Sequence, residues 1–332
     1  MKSESTVLVL GATGGIGGEV ARQLRDEGWA VKAMQRDVVD PRATGVVADG
    51  VTWILGDAMN AAHVARAARD CSVIVHAVNP PGYRKWPQLV LPMLENTIAA
   101  ARNEQALVLL PGTIYNYGRD AFPLLTEQSP QHPFTRKGAI RVEMEKRLQT
   151  HAEQGGRVLI VRAGDFFGPS AGNNWFGQGL VQPGRRIRTI RNPGERGVGH
   201  SWSYLPDVAA TMVRLLQRRD SLDPFATFHM EGQYDHDGAQ MIRAIYRVVV
   251  QYGHRGPKIA AFPWWLVSLL SPLLPTFHEV LEMRYLWQQP IRLDNAKLIA
   301  TLGQEPRTPL EEAVEATLIG LYCVRGPAVV RS

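Results

Sequence analysis

The stretch Val7-Leu8-Val9-Leu10-Gly11-Ala12-Thr13-Gly14-Gly15-Ile16-Gly17-Gly18 decides the fold of this chain. Four apolar residues predict a buried strand and the glycines a tight turn. Ile16, Val20 and Leu24 then recur at helical spacing on one face. A strand, a glycine turn and a helix N-terminus together make a cradle for the pyrophosphate of a dinucleotide. Glycines let the backbone approach the phosphates, and free N–H groups and the helix dipole meet their charge. A glycine cluster alone is a weak signal; its strand–helix context gives it weight. Gly11, Thr13, Gly14, Gly15, Ile16 and Gly17 are the expected cofactor contacts of this turn.

Outward from the turn, Ala30 to Gln35 predicts a second strand, ending in Gln35-Arg36-Asp37. The residue that closes this strand faces the adenosine ribose. A carboxylate there suits the 2′-hydroxyl of NAD, whereas an arginine pairs with the 2′-phosphate of NADP. With Arg36 at the strand end and Asp37 one or two places late, NADP(H) is favoured over NAD(H). A third strand, Val51 to Leu55, precedes Gly56-Asp57-Ala58 and a helix carrying Val64, Ala67 and Ala68 inward. Asp57 can accept from the adenine amino group, or it can cap that helix. Ser72 to Ala77 is a fourth strand, and Ala77-Val78-Asn79, running into Pro80-Pro81-Gly82, should pass under the nicotinamide half.

Leu89 to Arg102 reads as an amphipathic helix, Ala106 to Leu110 as a fifth strand, Arg136 to Ala152 as a helix and Arg157 to Val161 as a sixth strand. Strands alternating with helices imply an α/β, Rossmann-type doubly wound parallel sheet covered on both faces. In such sheets ligands bind at the carboxyl ends of the strands, where all these loops begin. Past Pro169 the rhythm breaks into a Gly-, Pro-, Asn- and Arg-rich stretch to about Gly199, read as a cover over the cleft. Thr227 to Met230 offers a last strand, and the remainder is mainly helical. The expected organisation is a dinucleotide-binding domain over 1–170, with 200–232 returning to it. A smaller, mainly helical C-terminal substrate lobe takes 171–199 and 233–332.

The bulk numbers fit a globular protein: 332 residues, 45% hydrophobic and 20% charged. A net charge of +6 is modest for this length. The densest basic run, Arg185-Arg186-Ile187-Arg188 with Arg191, reads as a solvated loop, with contact to a substrate or cofactor phosphate as the alternative, and no nucleic-acid partner is expected. Cys71 and Cys323 give neither a disulfide framework nor metal-ligand spacing, so no metal is expected. The polar start shows no signal peptide, and a cytoplasmic location is expected. Ile259 to Pro275 is apolar but interrupted by three prolines and too short for a transmembrane segment. It reads as a buried or pocket-lining helix, with peripheral membrane contact as the alternative.

In combination and in order, several motifs resemble those of the extended short-chain dehydrogenases/reductases, in particular the NAD(P)-dependent epimerase/dehydratase group. They are Gly11 to Gly17, Asp57, Thr113 to Gly118, Arg162 to Pro169, Ser203-Tyr204-Leu205-Pro206-Asp207-Val208-Ala209, and Leu293 to Leu298 with Leu302-Gly303. The resemblance implies a Rossmann-type cofactor domain, a substrate lobe and, often, a homodimer. It also implies a catalytic Ser or Thr, matched by Thr113. A tyrosine acid/base and a lysine four residues later should complete the set, the lysine binding the nicotinamide ribose and helping a phenol work near neutrality.

Here the chain departs from the pattern. Lys137 stands in the place of the tyrosine and Arg141 in that of the lysine. An arginine can hold a ribose but cannot exchange a proton. A lysine desolvated beside a fixed cation gives up its proton more readily, so Lys137 could serve as acid or base; Tyr115 is the other source of a proton. Tyr117 belongs to the family's ordinary turn and reads as structural. Asp165 and His200 are further candidates for contact with a ligand, against a turn-stabilising aspartate and a surface histidine. Ala163 closes the cofactor set. Trp175, Phe176, Trp202, Trp264, Trp265 and Trp287 suggest an aromatic or apolar small-molecule substrate, or packing between lobes. The expected function is an NADP(H)-dependent oxidoreductase or epimerase-like enzyme acting on a carbonyl or hydroxyl. The alternative is a non-catalytic NAD(P)-binding sensor.

Overall fold

The structure, a computed structural model, describes residues 5–36, 47–80, 86–172 and 174–325. Asp37, Pro81 and Gly82 lie outside the described residues. In chain order the first half comprises β1 (Thr6–Leu10), α1 (Gly15–Asp26), β2 (Ala30–Gln35), β3 (Val47–Ala48), β4 (Val51–Leu55), α2 (Ala61–Ala68), β5 (Val73–His76), α3 (Trp86–Glu104), β6 (Leu107–Thr113), β7 (Leu124–Leu125), α4 (Arg136–Glu153), β8 (Arg157–Ala163) and β9 (Asp165–Phe167). The second half comprises β10 (Thr189–Asn192), β11 (His200–Tyr204), α5 (Leu205–Gln217), β12 (Phe225–His229), β13 (Gln233–Asp235), α6 (Gln240–Gln251), β14 (Lys258–Ala261), α7 (Trp264–Leu270), α8 (Pro275–Glu282), β15 (Arg292–Leu293), α9 (Ala296–Leu302) and α10 (Leu310–Gly320).

The main sheet has the order β12-β8-β6-β5-β1-β2-β4-β3, parallel throughout except for the short β3 at one edge. The alternation of strand side chains assigns its two faces. Val7, Val9, Val73, Val75, Leu107 and Leu109 pack against α1 and α5. Leu8, Leu10, Ile74, Val108 and Leu110 pack against α2, α3 and α4. Every strand residue from Val7 to Leu10 is therefore buried, as a strand covered on both sides must be. From β1 the chain runs outward to β2 and β4, then crosses back to β5 on the other side of β1. The reversal opens a crevice beyond the carboxyl ends of β1 and β5, the position where such sheets bind ligands.

A second core lies beside the sheet, built from Phe167, Phe176, Trp202, Ile245, Val248, Trp287, Val314 and Leu318 among others. Small sheets frame it: β9 pairs with β11 and β11 with β13, while β10 pairs in parallel with β14. Two strands run further than their apolar stretches suggest. β6 continues to Thr113 because Gly112 and Thr113 still pair with Arg162 and Ala163 of β8, which extends in step. Thr113 thus sits on the last rung of a strand. No helix among the described residues is long and apolar enough to cross a membrane.

The segment from Ile259 to Pro275 is not one buried helix, though its Phe262 and Val267 line the main cavity, in keeping with the pocket-lining reading. Its start is the exposed strand β14, and α7 buries Val267 while Trp265 and Leu269 face outward. Three prolines and short elements leave too little length for one continuous packed helix.

Candidate active site

The carboxyl ends of the strands open into one continuous cavity of about 1380 Å³. Its axis follows the sheet order, from Gln35 and Arg36 at the end of β2, past Gly11 and Ala77, to Thr113 on β6 and Ala163 on β8. Beyond Thr113 it is closed by side chains of the C-terminal lobe.

The glycine turn has the form a phosphate requires. Gly11 adopts φ +89°, and a Cβ there would lie 2.6 Å from the Ala77 carbonyl oxygen, so only glycine lets β1 and β5 end this closely. Gly14 caps α1 without a side-chain hydrogen bond, and the first turn of α1 carries no acidic residue. Its N–H groups and the positive end of the helix dipole therefore face the cleft without a competing carboxylate. Gly11, Thr13, Gly14, Gly15 and Ile16 line the cavity. Gly17 does not: a Cβ on it would fall within van der Waals contact of the Gly11 carbonyl. Its role is close packing of α1 on the turn rather than the cofactor contact expected of it.

At the end of β2, exposed Arg36 and half-buried Gln35 line the cavity, and the Gln35 amide nitrogen is buried without a hydrogen-bond partner among the described residues. Asp57 lines it too, but it does not cap α2. Asn60 does that, its side chain accepting from His63 N–H, while Asp57 Oδ1 accepts from Met59 N–H at 3.0 Å. Ala58, Ala77, Val78, Asn79, Ala163, Thr113, Tyr115, Lys137 and Arg141 all line the same cavity. An extended dinucleotide fits this lining, the α1 N-terminus offering donors to its phosphates.

His76, at the end of β5, was not anticipated and lines the cavity beneath Arg141. Thr97 Oγ1 spends its proton on the Met93 carbonyl and lies 2.8 Å from His76 Nδ1, so Nδ1 carries the hydrogen. Nε2 is buried with no hydrogen-bond partner among the described residues. Desolvation, with the Arg141 charge in support, pulls this imidazole down to about 3. It is neutral near pH 7.

The Thr113 end of the cavity departs most from expectation. Lys137 is buried in the first turn of α4, and its Nζ lies 2.9 Å from Glu279 Oε2 on α8, with the Glu279 carbonyl at 3.4 Å. The neighbouring charge that decides its environment is thus a carboxylate from the other lobe rather than Arg141. Glu279 lies 142 residues away in sequence, and nothing local announces it. Arg141 lies over the Trp86 ring at 5.2 Å.

Tyr115 has a different setting. Its phenol donates to Asp165 Oδ1 at 3.3 Å, and Asp165 Oδ2 lies 3.0 Å from His200 Nε2. His200 Nδ1 faces the Leu286 carbonyl at 3.1 Å, an oxygen that can only accept, so Nδ1 bears a hydrogen. The Nε2–Oδ2 contact is then a hydrogen bond only if a proton sits between them. His200 is stacked on Trp287 at 3.7 Å and buried on β11. It is neither the surface histidine nor the direct ligand contact read from the sequence: it backs Asp165, which does line the cavity. The β9–β11 pairing, with Trp202 opposite Asp165, makes this possible.

Thr113 Oγ1 accepts from the Tyr115 N–H at 3.2 Å and lies 3.4 Å from Asn116 Oδ1. Behind it, Asn116 donates to Gln131 and Gln131 to Glu145, which pairs with buried Arg162 through both carboxylate oxygens. Arg162 donates to the Tyr117 hydroxyl at 2.9 Å, and Tyr117 lies 2.8 Å from His229 Nε2. Burial raises the Tyr117 phenol and, with Arg162, lowers His229 to about 3. Tyr117 is therefore part of a buried brace that fixes the strand ends.

Past Thr113 the cavity wall is Trp175, Phe262, Val267, Phe277, Val280 and Met283. Of the aromatic set, Trp175, Trp264 and Trp287 pack together, as do Phe176 and Trp202. Trp265 stands outside.

Residues 11–164 match a protein family described as NAD(P)H-binding. No curated protein sequence matches the chain. Among solved structures, it is similar to MoeE5 in complex with UDP-glucose and NAD, at 17% identity and TM-score 0.72, covering 95% of this chain and 98% of that one. A UDP-glucose 4-epimerase matches at 14% identity and TM-score 0.72, with 96% and 97% covered. The Bordetella bronchiseptica enzyme WbmH, in complex with NAD+, matches at 18% identity and TM-score 0.68, with 96% and 98% covered.

Proposed function

We propose that this chain, an extended short-chain dehydrogenase/reductase by fold with an NAD(P)H-binding domain, is an NADP(H)-dependent oxidoreductase or epimerase-like enzyme. Its substrate would be a small, apolar or aromatic carbonyl compound or alcohol, with Tyr115 as the proton donor. The observation that carries this reading is the single cavity that joins the glycine cradle to Thr113, Tyr115 and an apolar end wall. A bound nicotinamide would supply hydride transfer at the substrate carbon. The chain supplies the rest. Thr113 orients the substrate oxygen, and Arg141 would hold the ribose of a bound nucleotide. The Tyr115 O–H bond breaks as a bond from that proton to the substrate oxygen forms. Asp165, which accepts from the phenol and has His200 behind it, is the side chain placed to return a proton to the Tyr115 oxygen and restore the phenol.

Lys137 is better suited to a latch between α4 and α8, its charge already met by Glu279.

The test is a carbonyl and alcohol library read by nucleotide absorbance. For any hit, Tyr115→Phe should lower turnover by about 10²–10⁴-fold, the range of a lost general acid, without weakening nucleotide binding. A Tyr115→Phe variant of undiminished activity would overturn the assignment. The lysine–glutamate pair in the family tyrosine's place favours one other reading, a nucleotide-binding sensor without turnover. A library in which nothing oxidises or reduces the bound nucleotide would favour it.

A further inference from the structure

Several large apolar side chains are left bare on the segment that walls the cleft. Trp265 is 71% exposed, Leu269 65% and Leu273 77%, and Ile259 on β14 is also open to solvent. Monomeric proteins seldom leave so many large apolar side chains side by side unless the surface meets something. A second feature adjoins it. β14 pairs in parallel with β10, placing Lys258 beside Thr189 and Ala260 beside Arg191. The Phe262 N–H donates to the Asn192 carbonyl and Trp264 Nε1 to the Pro193 carbonyl, fastening the start of α7 to the end of β10. The ribbon and its approaches carry Arg185, Arg186, Arg188, Arg191, Arg255 and Lys258, all exposed. Neither 185–192 nor 254–278 contains an aspartate or glutamate.

We propose that this face seats the protein on a bilayer containing anionic phospholipids. Trp265, Leu269 and Leu273 enter the boundary between headgroups and acyl chains, and the basic ribbon lies against the headgroups. The chemistry of both halves selects this partner. Tryptophan is suited to the membrane interface, with its apolar ring and polar N–H. Each basic side chain near an anionic surface strengthens partitioning by roughly fivefold at low ionic strength. A second copy is disfavoured by charge: in a twofold contact each face would set six cations against the same six. With α7 too short to span, the protein lies on the surface. Val267, on the inward side of α7, lines the cavity, so the docked membrane would sit against the cleft's outer wall. The proposal concerns binding and holds whether or not the site turns over.

The test is flotation of the full chain with vesicles of phosphatidylcholine alone and of phosphatidylcholine with phosphatidylglycerol. Binding to the mixed vesicles should exceed that to the neutral ones by about tenfold or more and fall in high salt. Trp265→Ser with Leu269→Ser should reduce it by about a hundredfold or more, the loss of two buried apolar side chains. Arg188→Glu with Arg191→Glu should abolish the preference for the anionic lipid. Both pairs are exposed, so nucleotide binding and the far-ultraviolet spectrum report whether the fold is kept, and either pair alone suffices as the test. No binding to either vesicle, or binding indifferent to both variants, would overturn the proposal. So would a concentration-dependent dimer that Trp265→Ser with Leu269→Ser dissolves.

Discussion

Replacing Lys137 and Glu279, singly and together, separates a latch from a proton carrier. The charges are 2.9 Å apart, with side chains 7% and 29% exposed. At an effective dielectric of about 20 their attraction is about 6 kcal/mol before the cost of removing them from water. Most of that is offset by desolvation. The pair lies between exposed ion pairs, worth about 0.2–1 kcal/mol, and buried ones, whose disruption costs about 3–5 kcal/mol. A coupling of about 2 kcal/mol is therefore expected from urea denaturation of Lys137→Met, Glu279→Gln and the double variant. Each single variant should destabilise the fold, and the double variant by less than their sum. The same proteins, assayed with a substrate from the carbonyl library, should show that the double variant keeps most of its turnover. Additive effects, with coupling below about 0.5 kcal/mol, would refute the pairing. A stable double variant that binds nucleotide but has lost turnover by about 10²-fold or more would make Lys137 the acid and displace Tyr115.

Acid should weaken the fold in a definite window. His76 and His229 are held down to about 3 by burial, so the unfolded chain binds protons that the folded chain refuses. Their contribution is intact above about pH 6.5 and declines as the pH falls toward 3. Between pH 7.5 and 5.5 the loss is about 1.4 kcal/mol for each histidine. Urea midpoints across that range should show the decline, and His76→Gln should flatten it; an unchanged slope would contradict the protonation states assigned here. At the adenosine end, Arg36→Ala should weaken NADPH by roughly tenfold, the loss of one exposed charge-assisted contact, and leave NADH nearly unchanged in a fluorescence titration. Equal losses for both nucleotides would remove the argument for the 2′-phosphate.

Much of the cofactor half was legible because its signals are local. An apolar run followed by Gly11 and Gly14 must turn at that point, and Gln35-Arg36 must end a strand whose period has run out. Gly17 shows the limit: one motif contains glycines that line the cavity and a glycine required by packing, and the approach of a Gly17 Cβ to the Gly11 carbonyl tells them apart. The catalytic end was less legible. Thr113 was placed by a short motif, but the partners of Tyr115 and Lys137 arrive from elements 50 to 142 residues away.

By itself, then, the sequence determined the parallel sheet, the cradle at Gly11 to Ile16 and the strand ends around them, since side-chain period and glycine conformational freedom act over a few residues. Tertiary structure decided which charges meet. The β9–β11 pairing brings His200 behind Asp165, α8 carries Glu279 to Lys137, and β10 against β14 sets Arg191 beside Ala260 and Lys258 beside Thr189. Electrostatic partners depend on distance in space, and no local pattern in the chain records that distance.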